Sequence, residues 1–338
     1  MAASSAIQLD IAGRSVRVSS PDKVMFPATG ATKMDVVNHV VRCGEGLLSQ
    51  VRDRPCTLKR YPNGVGDKPF YQKKVSSQID AEHQAIMTFP TGRTAAMFVP
   101  RDEADVVWMA HMGCIDFHPW AVTVDDADHP DELRIDLDPT DGVAFDDVID
   151  VALGTRTILA SLGLTGFPKT SGSRGIHIIV PIDAEWTFGQ VRRACLAIGR
   201  AVADSDERAT VEWWKEQRHG VFLDYNQNAR DRTVACAYSI RPTGWVSAPL
   251  EWDEVPGIAP DRFTLQNFGD RLAAVGDLTV GWRGSAGRLD AALELAATHE
   301  AEGRGDAPWP PHYPKQPGEP LRVQPSRRAH RSTQVEAG

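Results

Sequence analysis

The tract Arg134-Ile135-Asp136-Leu137-Asp138-Pro139 constrains this chain more than any other. Apolar and charged residues alternate there with a period of two, the signature of a β-strand with one face buried. Side chains at i and i+2 share a face. Ile135 and Leu137 are therefore expected in the core, and Asp136 and Asp138 together on the opposite face, with Cα atoms roughly 6.5 Å apart at a rise of about 3.3 Å per residue. Two carboxylates that close repel unless a cation lies between them. Hard divalent ions such as Mg²⁺ or Mn²⁺ take such oxygen ligands, and a pair of them about 3.5–4 Å apart serves phosphoryl transfer. An exposed strand edge that ends at a proline explains the same pattern without a metal.

Strands and helices alternate around this tract. IQLDIAGRSVRVSS reads as a hairpin about Gly13, and a helix follows Thr32, an N-cap residue, through ATKMDVVNHVVRCGEGLLSQV. Further helices are expected over DEADVVWMAHMG, AFDDVIDVALGTRTILASLG, TFGQVRRACLAIGRAVADS (opened by Thr187), a segment near Asp261 to Ala274, and LDAALELAATHEAEG. Strands are expected at CTLKRYPNG, IDFHPWAVTV, ELRIDLDP, on both sides of the glycine turn in FPKTSGSRGIHIIVPI, at VFLDYN, and at TVACAYSIRPTG. This is a mixed α/β, or α+β, pattern with mainly antiparallel pieces. From about residue 305 the chain turns rich in Pro and Arg, which predicts a catalytic domain over 1–304 and a tail over 305–338, strapped down by Trp309 and Tyr313. Within the domain, a basic part is expected over about 1–125 and a metal-binding core over about 126–300.

Composition narrows the class of protein. Hydrophobic residues make up 42% and charged residues 24% of 338, an ordinary globular profile. No apolar run reaches the roughly 18 residues of a membrane span, and MAASSAIQLD lacks the layout of a secretory leader. The five cysteines form no C-x-x-C pair, which fits reduced thiols in a cytoplasmic protein and gives no zinc knuckle. A net charge of −8 argues against a phosphate-rich partner until its distribution is read. Ten Lys/Arg against five acids lie between Pro21 and Lys74, while Asp125 to Asp150 is acidic. Scattered surface charge would look the same, but a basic region beside an acidic centre suits an enzyme that grips phosphates and collects cations.

Two more segments carry chemistry. In Lys169-Thr170-Ser171-Gly172-Ser173-Arg174-Gly175-Ile176-His177, the glycines permit a turn that a phosphate can approach, the serines offer hydroxyls and Arg174 a bidentate fork. An ordinary polar hairpin has the same composition. It is not a P-loop, because G-K-[ST] is absent and a strand follows. In Phe222-Leu223-Asp224-Tyr225-Asn226-Gln227, an acid ends an apolar strand as a third metal ligand would, or as an Asx turn would.

Together the three segments resemble the archaeo-eukaryotic primase superfamily, and within it the polymerase domain of bacterial DNA ligase D. PDKVMFPATGATK, TLKRYPNGV, PFYQKK, IDFHPW, RIDLDP, KTSGSRGIH, DYNQNARDRTVACAYSIR and PPHYPKQPGEP all resemble that family's successive blocks, from about Gln8 to Pro320. The resemblance implies that family's fold, with largely antiparallel sheets around a central cleft and flanking helices. It implies that Asp136, Asp138 and Asp224 hold two Mn²⁺ or Mg²⁺ ions. It also implies that Ser171, Arg174 and His177 hold a nucleotide's triphosphate, that His118 and Arg241 contact the nucleotide, and that Gln227 lies beside it. Lys23 and Lys33 match lysines that grip a 5′-phosphate, Phe70 and Tyr71 a pair that stacks on template bases, and Lys59 and Arg60 contacts to the DNA backbone.

The implied activity is template-dependent addition of rNTPs or dNTPs to a primer 3′ end, in DNA break repair or gap filling. The implied partners are gapped or 5′-phosphorylated DNA, nucleoside triphosphates, a Ku-like protein and a separate DNA ligase. The expected location is the cytoplasm, associated with the nucleoid, without a membrane. No K-x-D-G ligase nucleophile and no phosphoesterase-like His cluster occurs, so a free-standing polymerase is expected, with ligation supplied in trans. The competing readings are a primase that makes primers de novo, a weakly catalytic factor holding DNA ends, and a D-x-D phosphohydrolase or glycosyltransferase.

Overall fold

The computed structural model describes residues 6–76 and 79–322. Residues 1–5, where the leader argument begins, and 323–338, the end of the expected Pro/Arg tail, lie outside the described residues.

The chain opens with a hairpin, β1 (Ala6–Ile11) and β2 (Arg14–Ser19), whose turn residues Ala12 and Gly13 both have positive φ, as a two-residue hairpin turn requires. A short pair, β3 (Val24–Phe26) and β4 (Ala31–Thr32), leads into α1 (Lys33–Val51). Thr32 and Asp35 form a reciprocal capping box there, so the helix starts where its N-cap residue predicts. Then follow β5 (Cys56–Arg60), β6 (Phe70–Gln72), β7 (Gln84–Thr88), β8 (Thr94–Phe98), α2 (Glu103–His111) and β9 (Cys114–Pro119). The second half contains β10 (Glu132–Pro139), α3 (Phe145–Ser161), β11 (Phe167–Thr170), β12 (Ile176–Pro181), α4 (Phe188–Ser205), β13 (Ala209–Thr210) and β14 (Val221–Leu223), then α5 (Phe268–Val275) and α6 (Asp290–Ala301). Thr187 and Gln190 box the start of α4 as Thr32 and Asp35 do for α1.

Two five-stranded sheets result. One joins β6, β5, β8 and β7, with β9 paired to β5; the other runs β11-β12-β10-β14-β13. Every pairing is antiparallel except β13 with β14. This is the mixed, largely antiparallel α/β architecture that the sequence implied. The second sheet is buried on its inner face, with Ile135, Leu137, Ile176, Ile178 and Val180 each at most 1% exposed. All five cysteines are buried and unpaired. No helix among the described residues is long and apolar enough to cross a membrane.

Three expectations need correction. TVACAYSIRPTG is not a strand. Its N–H groups go to different partners, Cys236 and Ile240 donating to Phe117 and Ile115 of β9 and Tyr238 to Ser247 in a loop, so no continuous ladder forms. Residues 234–238 are all buried because they are enclosed on both sides, which imitates a buried strand in sequence. The helix expected from Asp261 begins only at Phe268, since Phe263 and Leu265 are buried in the preceding loop. The hairpin β7–β8 was not foreseen, although Pro90-Thr91-Gly92 between two apolar runs marks its turn.

Candidate active site

The two acidic strand ends meet because β14 pairs with β10. Leu137 faces Leu223 and Asp138 faces Phe222, and the Asp224 N–H donates to the Asp136 carbonyl at 3.0 Å. On the other edge of β10, Asp136 lies directly opposite His177 of β12, whose Nε2 is 3.3 Å from Asp136 Oδ1. Gln227, one turn beyond Asp224, donates its amide to both carboxylates: 3.0 Å to Asp224 Oδ2 and 3.3 Å to Asp136 Oδ2. The Asp138 carboxylate is exposed and accepts no hydrogen bond from the described residues. Among the described residues no three His, Cys, Asp or Glu side chains already converge as a ligand set.

The electrostatics of the three acids differ. Burial raises the Asp224 carboxyl, and Asp136 raises it further, to about 6. Burial and Asp136 also hold Asp138 above the ordinary carboxylate value. Burial acts the same way on Asp136, but His177, Lys169 and Arg241 more than offset it, and Asp136 lies below the ordinary value. Three carboxyls of which two resist ionisation are deficient in positive charge, and divalent ions with oxygen ligands fit that deficit. The Gln227 amide occupies only one oxygen of each carboxylate, Oδ2 of Asp136 and of Asp224, which leaves lone pairs on both for a cation.

The turn beside the acids is built by Ser171. Its Oγ accepts from the N–H groups of Ser173 (3.1 Å) and Gly175 (3.0 Å), leaving its own proton free. Gly175 is required by space, since a Cβ there would lie 2.2 Å from the Leu137 carbonyl oxygen. Gly172 has φ +67°, and a Cβ would meet Arg241 Cγ at 2.5 Å. Arg174 projects outward and pairs with Asp141 at 2.9 Å, an exposed contact worth about 0–1 kcal/mol and easily exchanged for a phosphate. Arg174 and Asp138 face a cleft of about 400 Å³ together with Lys215 and Arg218. Neither Lys215 nor Arg218 was singled out in the sequence, because the loop that carries them has no strand or turn signature.

A second buried cluster lies on the first sheet. Asp116, 1% exposed, is 2.7 Å from Lys59 Nζ, 3.3 Å from His118 Nε2 and 3.6 Å from Arg241 Nε. Burial would raise its carboxyl, but those three bases hold it down at about 2. Arg241 also donates to the Ser171 carbonyl (3.2 Å), so it ties this cluster to the glycine turn. The sequence reading gave no role to Asp116, inside IDFHPW, nor to Lys169, at the head of the glycine motif and 0% exposed in a strand.

The expected DNA contacts divide. Phe70 (44% exposed) and Tyr71 (60%) stand out on β6, with Arg60 stacked over Phe70 at 4.9 Å. Lys59, expected at the DNA backbone, is instead 8% exposed and ion-paired with Asp116, since a buried carboxylate there needs a counter-charge. Arg54 is likewise buried, paired with Asp131. Lys33 is held below its ordinary value by burial and then by Lys23, which places two ammoniums close together. Lys23 donates to the Pro62 carbonyl and Lys33 to that of Ser19. A cleft of about 200 Å³ beside them is lined by Lys33, Arg60 and His111.

Beyond residue 304 the chain packs against the Asp224 turn. Pro308 O accepts from Asn226 Nδ2 (2.9 Å) and Tyr225 Oη (3.3 Å). Buried Arg192 donates to Asn226 Oδ1, Asp306 Oδ1 and the Ala307 and Pro308 carbonyls, and stacks on Trp309. Tyr313 donates to the Arg230 carbonyl.

Carboxylates at paired strand ends, with an amide donor between two of them and cations beside the third, suit a reaction in which a triphosphate is held and cleaved. The class that this fold and cleft define is that of the nucleotidyltransferases. A family model described as the LigD primase-polymerase domain matches residues 32–279, and the chain belongs to that family. It is 32% identical over 276 residues to the multifunctional non-homologous end joining protein LigD of Mycolicibacterium smegmatis, covering 78% of this chain and 35% of that protein. The corresponding protein of Pseudomonas aeruginosa is 29% identical, covering 82% and 34%. The bifunctional LigD of Bacillus subtilis is 30% identical, covering 77% and 43%. The chain thus spans about a third of the length of the first two. Among solved structures, the polymerase domain of Mycobacterium tuberculosis ligase D in complex with DNA matches with a TM-score of 0.72 at 28% identity, covering 80% of this chain and 99% of that one.

Proposed function

We propose that this protein extends a primer 3′ end opposite a template, using rNTPs or dNTPs, at gaps or breaks in DNA. The observation that carries the reading is the strand register that sets Asp136 beside Asp224 and His177, with Gln227 bridging the two acids and Asp138, two residues along the same strand, sharing a cleft with Arg174. Asp136, Asp138 and Asp224 are the residues that hold the divalent cations, Mn²⁺ or Mg²⁺. A bound pair of such ions offsets the charge of the attacking and leaving oxygens in phosphoryl transfer. Ser171 offers its free hydroxyl proton to the triphosphate, Arg174 exchanges Asp141 for phosphate oxygens, and His177 donates from Nε2. His118 and Arg241, both held by Asp116, line the nucleotide's side of the cleft. Gln227 orients Asp136 and Asp224 and lies beside the nucleotide. Each fixed donor aimed where charge accumulates on the leaving pyrophosphate lowers the barrier without reorganising in the reaction.

Phe70 and Tyr71 are the template platform, with Arg60 at the backbone beside them. Lys23 and Lys33 receive the 5′-phosphate across the gap. Residues 1–304 form the catalytic domain and 305–338 a tail, of which residues 306–308 pack on the Asp224 turn. The partners in this reading are gapped, 5′-phosphorylated DNA, nucleoside triphosphates, a Ku-like end-binding protein and a separate ligase, in a nucleoid-associated, cytoplasmic setting. The test is extension of a 5′-phosphorylated gapped duplex with rNTPs or dNTPs in Mg²⁺ or Mn²⁺. No product in any combination would overturn the reading.

A further inference from the structure

Lys169 is fully buried, yet no carboxylate pairs with it among the described residues. Its Nζ lies 2.8 Å from the Ala235 carbonyl, 2.6 Å from Ser247 Oγ and 2.7 Å from His177 Nδ1. A buried ammonium without a counter-ion is costly, whereas Lys59 on the neighbouring sheet has Asp116 for that purpose. The position therefore calls for a role beyond packing.

The hydrogen-bond inventory shows what that role is. Ser247 already spends its proton on the Thr170 carbonyl (2.8 Å), so its oxygen accepts from Lys169. The Ala235 carbonyl can only accept. His177 Nδ1 is then the third neighbour of an ammonium that has three donors and no acceptor. The far side of the ring gives an independent constraint: Nε2 is 3.3 Å from Asp136 Oδ1, and an ionised carboxylate accepts but does not donate. A neutral ring carries one proton, and only the Nε2–H tautomer satisfies both ends. The reverse arrangement, an Nδ1–H donating to a neutral lysine, would set the Nε2 lone pair against the Asp136 oxygen. Nδ1 faces the Lys169 ammonium at 2.7 Å, which leaves no place for a proton there and keeps the ring neutral. Burial lowers Lys169 to about 7, so the ammonium depends on its polar surroundings there.

We propose that Lys169 is a positioning residue for nucleotide addition: by donating to Nδ1 of His177, it holds the ring in the Nε2–H tautomer and so makes His177 a hydrogen-bond donor toward Asp136 and the incoming triphosphate. This rests on the reading of His177 as a triphosphate contact. Lys169 does not touch substrate. It acts only through the imidazole, much as outer hydrogen bonds orient the ligands of a metal site.

The experiment is a long-range ¹H–¹⁵N correlation spectrum of the full chain with labelled histidine, at neutral pH, assigned by His177→Ala. Protonated Nε2 with an unprotonated Nδ1 is expected, and an Nδ1–H ring in the wild-type chain overturns the proposal without any variant. Lys169→Met keeps volume and removes the donors, and it should turn His177 to a mixture of tautomers. In single-nucleotide extension it should raise KM for the nucleotide about tenfold, while adding nothing further to His177→Ala. Independent, additive losses from the two substitutions would show a merely structural lysine and sink the proposal. Ser247→Ala loses one Lys169 acceptor but spares the imidazole, so its tautomer should be unchanged. Should the wild-type chain extend no primer at all, the functional reading fails while the spectrum still decides the tautomer.

Discussion

The backbone N–H of Asp224 donates to the backbone carbonyl of Asp136, so two acids 88 residues apart are locked in register before their side chains interact. The carboxylates are then close enough for one amide, that of Gln227, to serve both. Asp138 stands apart from this arrangement, exposed and without a hydrogen-bond partner among the described residues.

That isolation makes Asp138→Asn a clean test of catalysis. Nothing in the fold depends on the carboxylate, so the melting temperature should change little, and relief of repulsion with Asp136 should raise it if anything. Primer extension should fall by at least about 10²–10³-fold, the usual cost of removing a group that stabilises transition-state charge. Normal extension by a folded Asp138→Asn protein would remove this residue from the ion site.

Asp224 gives a pH prediction. Its folded carboxyl is raised to about 6, above the ordinary 3.8, by burial and by Asp136. A carboxyl raised on folding favours the folded state while protonated and costs stability once ionised. In chelator, stability should therefore fall as pH rises from about 4 to about 6, by on the order of 2 kcal/mol after allowance for its half-open rim. Asp224→Asn should remove that decline and melt higher at neutral pH, while losing extension. Mn²⁺ should raise the melting temperature of the wild-type chain but hardly that of the variant. Calorimetry across this range, with and without the ion, measures all three effects.

How much of this was legible in the sequence depends on how local each signal is. Thr32 and Thr187 mark their helices because a cap is satisfied within three residues. Asp136 and Asp138 were placed on one face by the strand period alone. The surroundings that turn those acids into a site come from distant segments. Lys59 was taken for a surface cation, since nothing near it in sequence announces Asp116, 57 residues on. Residues 233–244 imitate a strand because a loop enclosed on both sides carries the same apolar run as a buried strand. Lys169 sat inside a motif already noted, and only the fold shows that its ammonium ends on an imidazole.

Phe70 and Tyr71 are large, exposed and flanked by Arg60 and Lys59, and neither supports the core. Alanine at either position should leave thermal stability nearly unchanged. Affinity for a single-stranded template overhang should weaken by about 1–3 kcal/mol per lost stack, roughly 5- to 150-fold. Fluorescence anisotropy with an overhang and with blunt duplex separates the roles. Equal weakening on both would mean that the pair does not stack on unpaired bases.

Residues 306–309 make the last prediction, because they touch the turn after Asp224 rather than the carboxylates themselves. Arg192 links Asn226, two residues past Asp224, to Asp306 and to the Ala307 and Pro308 carbonyls. Arg192→Met keeps the stem that packs on Tyr225 and Trp309 but leaves several buried acceptors unmatched. Losing one partner of such a buried network costs about 3 kcal/mol. Trp309→Ala attacks the same joint from the tail, removing the ring that lies 4.1 Å from the Arg192 guanidinium. Both variants should lower kcat through a loosened Asp224 turn, with template affinity unchanged, because Phe70 and Tyr71 belong to the other sheet. Hydrogen exchange at the 224–228 amides is the direct measure. If it stays slow in both variants while kcat falls, the tail acts elsewhere; if it quickens as kcat falls, the C-terminal segment is part of what keeps the third aspartate in place.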